Sequence, residues 1–416
     1  MSGARPVSAC RACGGRLGIT FCDLGSQPVA NSYVPPECGG APEPVFPLRA
    51  VVCEDCRLVQ LDTVVDERGI FTDYAYFSSM SSTWLDHAAR FCAGVTQRLD
   101  LGPESFVVEV ASNDGYLLRS FVAAGIPCLG VEPAANVAAI ARAAGVPTEA
   151  RFFGHDAARD ILGTRGGRPA DLVVANNVLA HVPDLDDFIG GLALLAGAGG
   201  VVSIEAPHLV ALVDGVQFDT IYHEHYAYWS LLSMEAALAR QGLHTFDVER
   251  LATHGGSMRV YSSAEARVPS AALRELRAEE AARGLDGDAF YGGFGPRVAA
   301  VLDGLRAWLA EAAAEGRRVC AYGAAAKGNT LLNAASVSAA DILAVADRSS
   351  AKQGRLLPGS RIPVVSPEAM LALRPDDILI LPWNIKAEIA GQLRAAGFGG
   401  RMAVAVPRLT LRDAVR

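Results

Sequence analysis

Residues 107–118 read VVEVASNDGYLL, a short apolar run followed by small and polar residues and then by the start of a helical pattern. A nucleotide favours small side chains at such a strand-to-helix turn, because its polar groups must approach the backbone at the start of the helix. The dinucleotide fingerprint G-x-G-x-x-G is missing, since Ala111 and Asn113 stand where two of the glycines would be and only Gly115 remains. The stretch therefore predicts a nucleotide-like ligand at the carboxyl edge of an α/β sheet.

An alternation of strand-like and helical segments extends outward from this stretch. Short apolar runs of this kind are typical of strands buried in parallel sheets. The runs that predict strands here are 107–110, 128–131, 172–175 and 201–205, and the intervening helical patterns include 115–124 and 134–144. The alternation predicts an open α/β sheet with helices on both faces.

The alternation resumes after a helical region between residues 269 and 316. Strands are expected at 318–322, 342–346, 378–381 and 402–406. Their strand–loop–helix segments follow in the same order as those of the middle block, so the last block resembles a degenerate copy of it. We expect an α/β protein with three domains, over residues 1–70, 71–255 and 256–416.

Composition excludes several classes of partner. The chain has 416 residues, about half of them apolar, and a formal net charge of −8. An acidic chain without a long Lys/Arg run lacks the electrostatic footprint of a nucleic-acid-binding protein. The uncharged stretch 188–204 contains five glycines and is typical of a helix end and a turn rather than of a membrane span. We therefore expect a cytoplasmic protein with neither nucleic acid nor membrane as partner.

Two C-x-x-C pairs in the N-terminal block predict a metal site. Two pairs of this kind can supply four thiolates to one tetrahedral ion, and four sulfur ligands without an open position suit structural zinc. The predicted ligands are Cys10, Cys13, Cys53 and Cys56. Four unrelated buried cysteines or an iron–sulfur centre are the alternatives. The other five cysteines lack paired spacing and are expected to be small buried residues.

Polar residues follow several strands of the middle block. Glu132 stands at the tip of the next strand, 23 residues after Glu109, where its carboxylate can accept hydrogen bonds from both ribose hydroxyls. This pair resembles the first two motifs of class I S-adenosylmethionine methyltransferases, with alanine and asparagine replacing two glycines. Asn177 and His181 follow a third strand at the same edge. The predicted cofactor-binding residues are Glu109, Ala111, Asn113, Asp114, Gly115, Tyr116, Glu132, Pro133, Asn177 and His181.

The densest cluster of ionisable groups is FDTIYHEHY, residues 218–226. Its H-E-H spacing excludes the H-E-x-x-H site of a metalloprotease. A carboxylate flanked by imidazoles and phenols can orient and tune a general base near neutral pH. The alternative is a surface loop with ordinary hydrogen-bonded histidines. The isolated histidines of the chain, among them His254, are expected to be structural, and the segment YAYFSS at 74–79 could cover the cofactor or pack between domains.

The third block contains a loop of small residues, YGAAAKGNT at 322–330. Small side chains expose backbone N–H groups and a lysine adds positive charge, so this loop could hold a pyrophosphate. The later segment WNIK at 383–386 offers a stacking face, an amide and a charge. A tight structural turn is the alternative. The predicted substrate-binding residues are Tyr322, Gly323, Lys327, Gly328, Asn329, Asp347, Arg348, Trp383, Asn384 and Lys386.

Nearly the whole chain resembles the TDP-4-keto-deoxysugar C-methyltransferase family, and within it the C-3 methyltransferases of D-tetronitrose biosynthesis. Beside the cysteine pairs, the motifs are EVASNDGYLL, GVEPA, NNVLAHVPD, FDTIYHEHYAYWS, HGGSMRVY, YGAAAKGNTLLN, DRSSAKQGRLLPG and LPWNIK. The resemblance implies zinc in the first domain, S-adenosylmethionine in the second and the nucleotide-sugar in the third. It also implies His225 as the base, with Tyr222, Glu224 and Tyr76 lining the reaction centre. A monomer is expected.

The expected reaction is methylation of C-3 beside a ketone at C-4, on a sugar expected to carry a 3-amino group. His225 would remove the C-3 proton, Glu224 would orient the imidazole, and Tyr222 or Tyr76 would donate a hydrogen bond to the enolate oxygen. The alternatives are an NAD-dependent oxidoreductase or epimerase acting on a nucleotide-sugar, and a non-catalytic zinc-dependent binding module. The mechanism requires residues 222–225 to lie beside the pocket of Glu132.

Overall fold

The computed structural model describes residues 3–65 and 82–413. Its N-terminal domain is built from antiparallel strands. They are β1 Arg5–Pro6, β2 Leu17–Gln27, β3 Phe46–Cys53, β4 Val59–Leu61 and β5 Thr63–Val64. Strands β2, β3 and β4 form one sheet in that order, and β1 pairs separately with β5. The alternating burial along β2 indicates a sheet with one face packed and one face in water.

The middle domain contains a seven-stranded sheet covered by helices. Its helices are α1 Ser82–Leu99, α2 Leu118–Ala123, α3 Ala135–Ala143, α4 His155–Thr164, α5 Leu185–Ala196, α6 Leu209–Asp214 and α7 Leu231–Arg240. Its strands are β6 Val107–Val110, β7 Cys128–Val131, β8 Thr148–Glu149, β9 Leu172–Asn176, β10 Val201–Pro207, β12 His244–Leu251 and β13 Ser257–Ser263, with β11 Ala227–Tyr228 lying between α6 and α7. The strand order is β12-β13-β10-β9-β6-β7-β8, and β13 is antiparallel to both neighbours. Strand β11 instead pairs with β4 and so joins the N-terminal sheet.

The C-terminal domain repeats this architecture. Its helices are α8 Ala271–Ala282, α9 Ala289–Gly292, α10 Phe294–Ala314, α11 Ala326–Ala334, α12 Pro367–Ala372 and α13 Lys386–Ala395. Its strands are β14 Val319–Tyr322, β15 Val345–Ala346, β16 Val364–Val365, β17 Asp377–Ile380, β18 Arg401–Val404 and β19 Thr410–Asp413. The order β16-β15-β14-β17-β18-β19, with only β19 antiparallel, matches β8-β7-β6-β9-β10-β13 strand for strand. The topology therefore confirms the resemblance between the two blocks.

Most expected elements are present, and the departures have local causes. The helix expected from residue 115 begins at Leu118, because Ala111, Asn113 and Gly115 have φ values of 56°, 51° and 76° and form a left-handed turn first. The domain boundary expected at residue 256 falls between β12 and β13, which are neighbours in one sheet. The middle sheet thus continues to Ser263.

The domains are held together by shared apolar surface. One buried cluster runs from the N-terminal sheet through Phe218 and Tyr226 to the C-terminal sheet. Within it, Phe21 of β2 stacks on Phe294 of α10, with ring centroids 4.4 Å apart. Such stacking between large buried rings fixes how the first and third domains sit against each other. Among the described helices, none is both long enough and apolar enough to cross a membrane.

Candidate functional site

The two cysteine pairs meet in one cluster. All four Sγ atoms lie within 4.8 Å of one another, with Cys10 and Cys56 3.6 Å apart and Cys13 and Cys53 3.4 Å apart. Zn–S bonds of about 2.3 Å in a tetrahedron place the sulfurs about 3.8 Å apart, so the cysteines fit zinc closely. Four thiolates complete its shell and leave no position for substrate. The zinc is therefore structural.

The turn after β6 is closed by Glu132. Its carboxylate accepts hydrogen bonds from the backbone N–H groups of Asn113 at 3.0 Å and of Ala134 at 2.9 Å. The first of these bonds supports Asn113 in the left-handed conformation that glycine adopts more easily, and Ala111 shares that conformation. Each oxygen has a second lone pair, so ribose hydroxyls can still bind. Glu132 therefore also shapes the turn, which spacing alone did not predict.

Glu109 is a buried carboxyl at this edge. Its side chain is 1% exposed, and neither oxygen has a hydrogen-bond partner among the described residues. Burial raises its pKa well above the ordinary value, helped by the neighbouring carboxylates of Glu132 and Asp114. The Asn177 side chain likewise has no partner in the described part of the chain. Such polar groups fit a cofactor that carries an ammonium group and a polar amino-acid tail.

A second buried network lies at the end of β10, and the sequence analysis missed it. Glu205 accepts hydrogen bonds from His87 at 2.9 Å and from the Arg259 guanidinium, and Thr253 donates at 3.2 Å. Burial disfavours its charge, but His87 and Arg259 lower its pKa to about 2. The Trp84 ring packs on those of His87 and His254, with centroids 5.1 Å away in each case. The sequence held a signal for this network, because Glu205 and Arg259 stand inside the otherwise apolar runs VVSIEAP and SMRVY.

The hydrogen bonds of His225 define its tautomer. Nδ1 lies 2.8 Å from the Thr220 carbonyl oxygen and Nε2 lies 2.7 Å from the Tyr222 hydroxyl. A carbonyl can only accept, so Nδ1 carries the proton and Nε2 presents its lone pair to the hydroxyl. Removal from water and the neighbouring His181 ring keep the pKa of His225 well below its ordinary value of 6.5. The imidazole is therefore neutral near pH 7.

Glu224 has different partners from those expected. Both carboxylate oxygens accept from the Asn31 amide at 2.9 Å, and the Glu224 carbonyl accepts from His181 Nδ1 at 2.7 Å. Burial raises the pKa of this carboxyl to about 7. The expectation that Glu224 orients His225 is corrected, because successive side chains of this turn diverge and Thr220 binds the ring.

His181 lies beside His225. Its ring lies edge-on to that of His225, with centroids 4.7 Å apart. It follows β9, which pairs with both β6 and β10 in the middle sheet. His225 therefore lies at the carboxyl edge of the middle sheet, where the Glu132 turn also lies.

The C-terminal loop reaches the same place. Lys327 Nζ lies 4.7 Å from the centroid of the Trp383 ring, whose N–H donates to the buried Asp219 at 2.7 Å. Asp219 immediately precedes Thr220, and α11 packs against this turn. Burial lowers the pKa of Lys327 and raises that of Asp219 to about 6. Lys327 thus lies beside the turn that carries Asp219 and Thr220.

The N-terminal domain contributes a loop that was not predicted. Beside Asn31, the Tyr33 hydroxyl donates to the Ala324 carbonyl at 2.5 Å, and the Ala30 carbonyl accepts from Asn329 at 2.5 Å. Asn329, expected to bind substrate, is thus used between domains. The loop therefore contacts both other domains, through Glu224 in the middle one and through Ala324 and Asn329 in the C-terminal one.

Of the other expected substrate residues, four are buried or half-buried and three are exposed. Gly323 and Gly328 serve packing, since an added Cβ would lie 2.3 Å from Pro382 Cγ and 2.8 Å from Leu381 Cδ1. Tyr322 contacts Gln392 at 3.4 Å, and Asp347 accepts from Ser349 N at 2.9 Å. The three exposed residues follow the carboxyl ends of two strands: Arg348 comes after β15, and Asn384 and Lys386 come after β17. Tyr76 and the rest of the 74–79 segment lie outside the described residues.

Comparison with known proteins agrees with this arrangement. Family models match residues 10–71 (zinc binding domain), 84–247 (methyltransferase domain) and 252–407 (C-methyltransferase C-terminal domain). The C-methyltransferase NovU of Streptomyces niveus is 35% identical over 411 residues, 97% of this chain and 96% of NovU. The chain belongs to this C-methyltransferase family. It is an S-adenosylmethionine-dependent C-methyltransferase with a zinc domain. The expected enzyme class, fold and cofactors are thus confirmed, rather than an NAD-dependent enzyme or a non-catalytic binding module.

Two solved methyltransferase structures are similar to part of this chain. An S-adenosylmethionine-dependent methyltransferase from Mesorhizobium loti is 15% identical, covering 43% of this chain and 99% of its own, with a TM-score of 0.34. Magnesium protoporphyrin IX methyltransferase from Synechocystis, with bound SAH, is 17% identical, covering 47% and 90%, with a TM-score of 0.33.

Proposed function

We propose that this C-methyltransferase methylates C-3 of a TDP-linked 4-keto deoxysugar that carries a 3-amino group. The observation that carries the proposal is the neutral imidazole of His225, whose Nδ1 donates to the Thr220 carbonyl and whose Nε2 lone pair accepts from the Tyr222 hydroxyl. Carbon becomes nucleophilic when a proton beside a carbonyl is removed, so C-methylation requires a base of this kind. The sugar class is supported by the sequence motifs of the C-terminal domain.

The reaction begins with proton transfer from C-3 to Nε2 of His225. The C–H electrons form an enolate with the 4-ketone, and the resulting imidazolium keeps its Nδ1 bond to the Thr220 carbonyl. When bound, S-adenosylmethionine would supply an electrophilic methyl group, which would pass to the enolate carbon with the methyl–sulfur electron pair staying on sulfur. Substrate entry frees the Tyr222 hydroxyl from Nε2, so this hydroxyl can donate to the enolate oxygen instead.

The surroundings of the base favour its neutral form before the reaction. Burial disfavours a proton on His225, as do the neighbouring His181 and Lys327. Lys327 lies beside the turn that carries Thr220, so we assign it to the reaction centre, where its positive charge would stabilise the enolate. The exposed residues Arg348, Asn384 and Lys386 remain the proposed contacts to the nucleotide. A monomeric state, a cytoplasmic location and the absence of a nucleic-acid partner stay predictions.

The test is a mass-spectrometric screen of TDP-keto-sugars with the wild-type enzyme and His225→Asn. The exposed His244→Asn serves as the matched control. We expect His225→Asn to lower methylation by about 10²- to 10⁴-fold, because a positioned base is worth that much. Binding of S-adenosylhomocysteine should be unchanged. Turnover of His225→Asn within a few-fold of the control would eliminate His225 as the base, and methylation of no TDP-keto-sugar by the wild type would refute the substrate class.

A further inference from the structure

Arg11 stands between two zinc ligands, yet its side chain reaches the middle domain. The knuckle reads Cys10-Arg11-Ala12-Cys13. Arg11 Nη1 donates to the carbonyl of Val182 at 2.9 Å and lies 3.5 Å from that of Pro183, while Nη2 donates to the carbonyl of Tyr226. One guanidinium therefore joins two separate segments of the middle domain.

Each of these segments carries a histidine of the site. Val182 follows His181, and Tyr226 follows His225. The segments are also joined by a hydrogen bond from the Tyr226 N–H to the Ala180 carbonyl at 2.7 Å. Movement of either carbonyl would therefore displace an imidazole.

The position of Arg11 is fixed from the zinc side as well. Its backbone N–H donates to the Gln60 side chain at 3.0 Å, and Gln60 belongs to β4, the partner of β11. The guanidinium lies 5.5 Å from the centroid of the Tyr226 ring. None of the ion pairs found in the described residues includes Arg11, and the hydrogen bonds of its guanidinium go to backbone carbonyls. A planar fork can bind carbonyls on two segments at once, whereas the single ammonium of lysine offers a weaker geometric match.

We propose that Arg11 is a positioning residue, through which the zinc knuckle holds the His181 and His225 segments in register for proton transfer. The inference rests on the proposed role of His225 as the base. It gives the zinc site a part in the reaction without metal contact to substrate. Displacement of a reacting group by about 1 Å can lower a rate about 10²-fold, so the loss of this bridge should affect kcat more than KM.

The test compares Arg11→Met and Arg11→Lys with Arg16→Met. Methionine keeps much of the aliphatic chain and removes every donor. Arg16 lies in the same domain, its side chain is 80% exposed, and it contacts Glu54 at 3.5 Å. We expect Arg11→Met to retain one zinc per chain and unchanged affinity for S-adenosylhomocysteine, with kcat lowered about 10- to 100-fold. Arg11→Lys should recover part of the loss, and it carries the test if Arg11→Met fails to fold.

A readout independent of activity is amide hydrogen exchange of peptides covering residues 180–183 and 222–228. We expect faster exchange there in zinc-loaded Arg11→Met and wild-type exchange in Arg16→Met. Wild-type exchange together with a kcat within twofold of the control would overturn the proposal, and so would loss of zinc from Arg11→Met. If His225→Asn keeps its activity, the base assignment fails, but the exchange measurement still decides whether Arg11 holds the two segments.

Discussion

Replacing Glu205 by glutamine tests the buried network at the end of β10. Glu205 is fully buried and Arg259 is 3% exposed, and the carboxylate also accepts from His87. The lowering of its pKa from 4.5 to about 2 corresponds to about 3 kcal/mol of stability at pH 7, at about 1.4 kcal/mol for each pKa unit. Removing one partner of a buried ion pair costs about 3–5 kcal/mol of stability, which agrees with the value obtained from the pKa. In Glu205→Gln, Arg259 would still pair with Glu249, whose carboxylate lies 3.0 Å away. We therefore expect a loss at the lower end of this range, about 3 kcal/mol.

The assay is urea unfolding of Glu205→Gln beside Glu235→Gln. Glu235 pairs with Arg277 at 2.7 Å near the surface, where an ion pair contributes about 1 kcal/mol or less. Since the pKa of Glu205 is lowered, its contribution should be complete above pH 4.5 and should disappear as the pH falls towards 2. The difference between wild type and Glu205→Gln should shrink over that window. A loss at pH 7 no larger than that of Glu235→Gln would refute the reasoning.

Three further predictions concern the other parts of the site. Removing zinc with a chelator should unfold the N-terminal sheet and abolish methylation, as followed by circular dichroism and metal analysis. Trp383→Phe removes the donor to buried Asp219 and should cost about 1–3 kcal/mol in urea unfolding, whereas Trp308→Phe, whose N–H has no partner among the described residues, should cost less. The pH profile of kcat/KM should show no acid limb near 6.5, because His225 is neutral there, whereas an inflection near pH 7 would implicate Glu224.

Local patterns predicted the framework of this protein well. The cysteine pairs formed one cluster, and the strand expected at 128–131 is β7 as observed. The strand depends on residues close in sequence, where periodicity carries the information, and each cysteine pair is recognised by its own short spacing. The strand β15, expected over 342–346, is shorter because only Val345 and Ala346 pair on both sides.

The composition of the site could not be predicted from local patterns. Asn31 binds Glu224 across 193 residues, and Arg11 reaches Tyr226 across 215. Such contacts follow from how the domains pack, not from any motif. We also expected Glu224 to orient His225 because the two are adjacent in sequence. In the structure its carboxylate binds Asn31 instead, since neighbouring side chains in a turn point in different directions. Thr220 accepts a hydrogen bond from the His225 ring through its backbone oxygen, so no side chain in the sequence could indicate this contact.

Solvent exchange at C-3 tests the central claim most directly. The wild-type enzyme is incubated in D₂O with a TDP-4-keto deoxysugar and without a methyl donor, and the C-3 proton is followed by NMR. We predict that the signal disappears with the wild type and with His244→Asn, and persists with His225→Asn. Exchange at the wild-type rate in His225→Asn would show that another group removes the proton.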